Sequence, residues 1–148
     1  MAKFVFELED VLKIRNHEKD LAQAELGKAV AEENRIQGLL DALAMQYNTV
    51  KQQTKDSTES QTILSAYRFY QGVKLQQEKL FDDMAKAKIV TEAKRKVFNE
   101  AYQKVESLEK LKEQKQLEFN KEQDRLEEEE MEDIFISAAS WKTRKKGK

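Results

Sequence analysis

Apolar residues recur along this chain at alternating spacings of three and four, in two long stretches separated by one polar gap. With a heptad started at Val5, the a positions read Val5, Leu12, Lys19, Leu26, Glu33, Leu40, Tyr47 and Thr54. The d positions read Leu8, Arg15, Ala22, Ala29, Ile36, Leu43 and Val50. After the gap the frame restarts, with a at Ile63, Tyr70, Gln77, Met84, Thr91, Phe98 and Val105. Its d positions are Ala66, Val73, Leu80, Ala87, Lys94, Ala101 and Leu108. In this second stretch only Gln77, Thr91 and Lys94 break the apolar pattern. Such a repeat specifies long helices that share one apolar seam. Proline would cost about 3 kcal/mol inside a helix, and the chain has none. The fold expected is all-α, a long two-helix antiparallel coiled-coil hairpin.

The gap runs from Lys51 to Thr62 without a large apolar residue. Asp56, Ser57 and Thr58 favour caps, because their side chains compete for backbone hydrogen bonds. Thr58 with Gln61 three residues on fits a capping box. A short polar turn here folds the second helix back on the first. The rival is a continuous rod that passes through with a heptad stutter. The hairpin reading makes 1–148 a single coiled-coil domain. Helix one covers about 3–54, a turn 55–59, helix two about 60–136 and a basic tail 137–148. Folding near residues 56–57 sets residue 4 level with about residue 109, so helix two overhangs beyond about residue 110. It also sets Lys19 level with Lys94, two like charges at the seam that would soften the hairpin locally.

Composition narrows the function. Charged residues make up 37% of the chain and hydrophobic ones 39%, the balance of a long exposed helix pair with a core one side chain wide. The absence of cysteine fits a reducing cytosol. No run approaches the roughly 20 apolar residues that span a bilayer, and no signal peptide opens the chain. A cytoplasmic protein is expected. A net charge of −1 argues against general nucleic-acid binding. The one histidine, His17, falls at an outer f position, and Gly27, Gly38, Gly72 and Gly147 are isolated. No set of residues has metal-ligand or phosphate-loop spacing, and a two-helix rod offers no cleft. No catalytic residue, metal or cofactor is expected, and the protein is read as a non-enzyme.

The ends are the most distinctive parts. Phe4, Phe6 and Leu8 alternate like a strand, while Leu8, Val11, Leu12 and Arg15 follow helical spacing. Either a hydrophobic staple seals the helix start, or two phenylalanines form an exposed hook for a partner. At the other end an acidic run, Glu127 to Asp133 interrupted by Met131, leads into Ile134, Phe135, Ile136 and the single tryptophan, Trp141. Lys142, Arg144, Lys145, Lys146 and Lys148 close the chain. That order favours docking over a merely solvated face, and the basic tip could also touch acidic lipid or nucleic acid.

These features together resemble the FliJ family, coiled-coil stalk proteins of the bacterial flagellar type III export apparatus. The likeness rests on the opening Lys3, Phe4, Phe6, Leu8, Val11, Leu12 and Arg15, and on Tyr67 and Tyr70 early in helix two. It rests also on the stretch Leu108 to Glu113 and on Met131-Glu132-Asp133-Ile134, similar to a family signature with its two acids exchanged. The resemblance implies a stalk whose paired termini insert into the hexameric export ATPase and promote its assembly and activity. The stalk would link that ring to the cytoplasmic domain of the membrane export gate and assist export-chaperone recycling. Phe4, Phe6, Leu8, Val11, Leu12, Arg15, Met131, Glu132, Asp133, Ile134 and Phe135 are then candidate ring contacts. Leu40, Leu43, Tyr47, Tyr67 and Tyr70 are candidate gate contacts, although all five lie at or beside the seam and could serve only as core. The resemblance further implies a cytoplasmic protein recruited to the inner membrane at the flagellar base, monomeric when isolated and without a nucleic-acid partner. Rival readings are the equivalent stalk of a virulence-type secretion system, a cytoskeletal coiled coil with no ATPase, and a basic-tailed nucleic-acid or membrane binder.

Overall fold

The three-four rhythm becomes two long helices packed against each other, with no strand among the described residues. A computed structural model describes Ala2–Lys146, the Lys146 side chain excepted. In it α1 runs Glu9–Thr54, 46 residues, and α2 runs Ser60–Lys146, 87 residues. Met1 and the last two residues of the expected tail, Gly147 and Lys148, lie outside the described residues. Contacts group into two units, Asn16–Tyr102, and Met1–Arg15 with Gln103–Lys148.

The unit Asn16–Tyr102 contains the turn. The Thr54 carbonyl accepts from the Ser57 amide at 3.2 Å, and the Thr54 hydroxyl donates back to the Val50 carbonyl at 2.7 Å. No described residue has a positive φ, so this turn needs no glycine. The start of α2 is capped one residue later than the Thr58–Gln61 spacing predicts. The Glu59 carbonyl accepts the Ile63 amide at 3.1 Å, and the Thr62 hydroxyl donates to the Glu59 carboxylate at 3.3 Å.

The seam of this unit follows the predicted frame. Ala22, Ala29, Ile36 and Leu43 of α1 are buried, as are Ala66, Thr91 and Ala101 of α2. Many d positions are alanine while a positions carry Leu26, Leu40, Tyr70, Met84 and Phe98, so small residues let the backbones approach and larger ones fill between them. Thr91 is the one buried polar side chain among the described residues, and its hydroxyl donates to the Ala87 carbonyl at 3.0 Å. The donor is satisfied inside its own helix, so burial leaves nothing unpaired.

The register differs from the simple fold-back. Lys94 lies opposite Glu25, with Nζ 3.9 Å from the carboxylate, not opposite Lys19, six residues earlier. The expected clash of two ammonium groups is replaced by a long ion pair. Both of its side chains are about half exposed, which keeps its worth below about 1 kcal/mol.

In the other unit the chain enters α1 from an extended segment. The first helix begins at Glu9 and not near residue 3. Phe4 and Phe6, two apart, point the same way only in extended chain; a helix would splay them by about 200°. Leu8 stands at the N-cap, its carbonyl accepting the Leu12 amide at 2.8 Å, and the Glu9 amide is satisfied by the Phe6 carbonyl at 3.1 Å. Leucine offers no capping oxygen, and Glu9 and Asp10 in the first turn supply the negative charge that the helix end favours. At its far end α2 continues to Lys146 instead of stopping near residue 136. Ala138 and Ala139 favour helix, and the cations of the last turns suit its negative end.

Two outcomes follow for stability. A Cβ added at Gly27, Gly38 or Gly72 would meet no heavy atom within 4 Å. Each Gly→Ala change should therefore stabilise by about 0.5–1 kcal/mol through helix propensity alone, read as a rising urea midpoint at constant slope. Lys94→Leu should raise the melting temperature in circular dichroism, because a seam leucine outweighs an ion pair this long. With Lys19 not opposite, adding Lys19→Leu should give an additive gain; strong coupling would contradict the register.

Candidate functional site

The N-terminal candidates do not form an exposed hook. Phe6 is 8% exposed and clusters with Leu12 and Val105, while Phe4, Leu108 and Leu111 pack around them. Phe4 also meets Phe119, ring centroids 5.6 Å apart and tilted by 56°. The Lys112 ammonium bridges to the Glu9 carboxylate at 2.8 Å across the same cluster. Phe4, Phe6 and Leu12 thus act as an intramolecular knot, the bland alternative for this segment, although it is built from an extended strand and not from a simple staple. Leu8 and Val11 remain exposed beside it, and Arg15 is half-buried.

Extended chain advances about 3.3 Å per residue against 1.5 Å in a helix. The segment therefore reaches Phe119, not residue 109, and a shallow groove between it and α2 extends to Glu122. The covered positions of α2 here include Val105, Leu108, Leu111, Lys112, Gln116, Phe119 and Gln123. Val105, Lys112 and Phe119 keep the seven-residue a spacing, and only Gln116 and Gln123 stand one place past d. The a frame carried beyond Leu108 reaches Phe119, so the heptad itself is its signal in the sequence.

Beyond Gln123 every described side chain of α2 is exposed. The overhang exists but starts near residue 124 and not near 110. Met131, Ile134 and Phe135 are 70%, 67% and 76% exposed, and Glu132 and Asp133 are exposed beside them. The structure does not bring these five against the N-terminal candidates, whose groove along α2 ends at Glu122. Trp141, 61% exposed, continues the apolar face, with the Lys145 ammonium 4.7 Å from the centroid of its ring. Large apolar side chains left this bare on one helix mark an interaction surface.

Local charge pairs hold that helix where it has no packing partner. The Arg125 guanidinium donates to the Glu122 carboxylate at 3.2 and 2.6 Å and to Glu129 at 2.6 Å. Hydrogen bonding first and charge second hold the Glu122 carboxyl below its usual range. Arg35 does the same for Glu32 in the other unit.

The gate candidates divide into core and surface. Leu43 is buried and Leu40 half-buried. Tyr47 and Tyr70 meet with ring centroids 4.9 Å apart and planes tilted by 50°, lining a groove with Ala44, Asn48, Val73 and Lys74. Tyr67 is 59% exposed and stands free of the seam. Among the described residues no cluster of His, Cys, Asp or Glu is placed to hold a metal ion, and no helix is long and apolar enough to cross a membrane.

No curated protein and no solved structure matches the chain significantly. A family model described as "Flagellar FliJ protein" matches residues 4–145, a span that takes in the N-terminal knot, both helices and the bare end of α2. The chain belongs to the FliJ family.

Proposed function

We propose that this chain, a flagellar export-related protein by its family, is a non-enzymatic stalk that docks into the hexameric export ATPase and links it to the membrane export gate. The observation that carries the reading is the bare helix beyond Gln123, whose apolar side chains have no cover within the chain. Burying a side chain of this size contributes about 1.5–3 kcal/mol. Met131, Ile134 and Phe135 together could therefore hold the helix in an apolar lumen, with Glu132 and Asp133 meeting polar groups at its wall. Such a helix binds the assembled ring and not its separate subunits, so it promotes assembly by mass action. In the N-terminal set, Leu8 and Val11 are the candidates left at the surface to touch the ring, with the half-buried Arg15 beside them. Phe4, Phe6 and Leu12 would support them from within.

The gate would meet the hairpin at Tyr67 and along the groove beside Tyr47 and Tyr70, with Leu40 and Leu43 shaping the surface from below. Export chaperones would be handled on the same stalk at the cytoplasmic face of the inner membrane, at the flagellar base. The family match favours the flagellar apparatus over its virulence-type counterpart.

Mixing the protein with the export ATPase and measuring hydrolysis tests the ring contact. The intact chain should stimulate, and a chain cut after Leu126 should lose most of that stimulation while keeping its melting temperature. Equal stimulation by both would remove the terminal helix from the site. For the gate, Tyr67→Ala should weaken binding to the cytoplasmic gate domain by about tenfold, as loss of an aromatic anchor does, with stability unchanged. Leu43→Ala should instead cost about 2–4 kcal/mol of folding stability, read by chemical denaturation.

A further inference from the structure

The exposed end of α2 carries two patterns at once. Met131, Ile134, Phe135, Ala138 and Trp141 fall at i, i+3, i+4, i+7 and i+10, which places them on one face of the helix. Charge on the same helix is sorted by length and not by face. Carboxylates fill 127–133, and cations fill 142–146.

That sorting selects the occupant. A helix that lies on anionic lipid carries cations along its whole polar flank, whereas here the acidic run would be pressed against the same negative surface. A nucleic-acid backbone meets the same objection. A second copy laid antiparallel meets none, because each acidic end then faces a basic end. We propose that two copies of this chain associate through this stretch, in a two-fold antiparallel helix pair centred on Ala138.

The centre follows from the spacing. With Ala138 on the axis, Phe135 of each copy lies level with Trp141 of the other, and Glu132 shares a flank with Lys142 of the other, about 3 Å from level. Met131 meets the aliphatic stem of Lys145, the residue that covers the indole within one chain. The apolar face is thus complementary to itself, as a two-fold interface requires. The small alanine at the crossing lets the backbones approach. About 15 residues of helix on each side span about 22 Å, an interface at the low end of specific association. The chain is therefore monomeric when dilute and pairs with a dissociation constant on the order of 100 μM, which sums to about −5 kcal/mol.

Sedimentation equilibrium of the full chain over a concentration series tests this. A monomer–dimer equilibrium weakened severalfold by raising salt is expected. Phe135→Ala with Trp141→Ala should abolish it without moving the melting temperature. Glu132→Lys alone and Lys142→Glu alone should each weaken pairing about tenfold, and the two together should restore it, since the swapped charges again share a flank. The chain has no cysteine, so Ala138→Cys should oxidise to a disulfide-linked dimer while Glu130→Cys should not. A monomer up to millimolar concentration, dimers that survive the aromatic changes, or no rescue by the charge swap would overturn the proposal. So would saturable binding of the same stretch to vesicles of anionic phospholipid in the absence of pairing.

Discussion

Burial along a single file of side chains is the largest favourable term open to this chain, and the other features follow from how that file is kept closed. Area removed from water contributes about 25 cal/mol per Å², and only a narrow strip of each helix is removed. Among the described residues, Ile36 alone has a large side chain that is almost fully buried. Nothing in such a seam lies more than one layer from water. Lys94 at a d position can therefore bury its stem and keep its ammonium in solvent near Glu25, and Gln77 at an a position is simply exposed. A thick core would reject both. Thr91, the one enclosed polar side chain among the described residues, is tolerated because its hydroxyl finds a carbonyl one turn back.

The same narrowness explains what could be read from the sequence. The frames around Ala22, Ala29, Ile36, Leu43 and Ala66 were legible because helical periodicity depends only on backbone geometry. Register was not. It is set by how side chains interdigitate beyond the turn, which slides one helix along the other without disturbing either frame. Lys94 therefore meets Glu25, although both residues keep their expected faces. Around Phe4 and Phe6 two periods compete in a few residues, and local pattern cannot choose between them. The choice is made by Val105, Leu108 and Phe119, about a hundred positions away. The apolar C-terminal cluster and its lack of cover were legible, but the point where cover ends was not, since that depends on how far the N-terminal segment reaches.

The two ends of the chain solve opposite problems. At one, a segment with no helical start signal is held down by rings and an ion pair. At the other, a helix with no partner persists. An isolated helix of about 20 residues is marginal in water because nucleation is costly. This one extends from a packed stretch, so its nucleus already exists, and the Gln116–Asn120 and Arg125 pairs add local support. Its apolar face can serve a ring or a second copy, but one set of side chains cannot be buried twice. Any partner that takes it removes it from the other.

The knot of Phe6, Leu12 and Val105 joins residues that leave the ribosome far apart in time. At about 5–20 residues per second, the first two wait roughly 5–20 s for the stretch of α2 that covers them. Through that interval the nascent chain presents a Phe-x-Phe segment with no internal partner. A holding factor that favours short aromatic segments has its one clear opportunity then, and loses it when synthesis reaches Phe119.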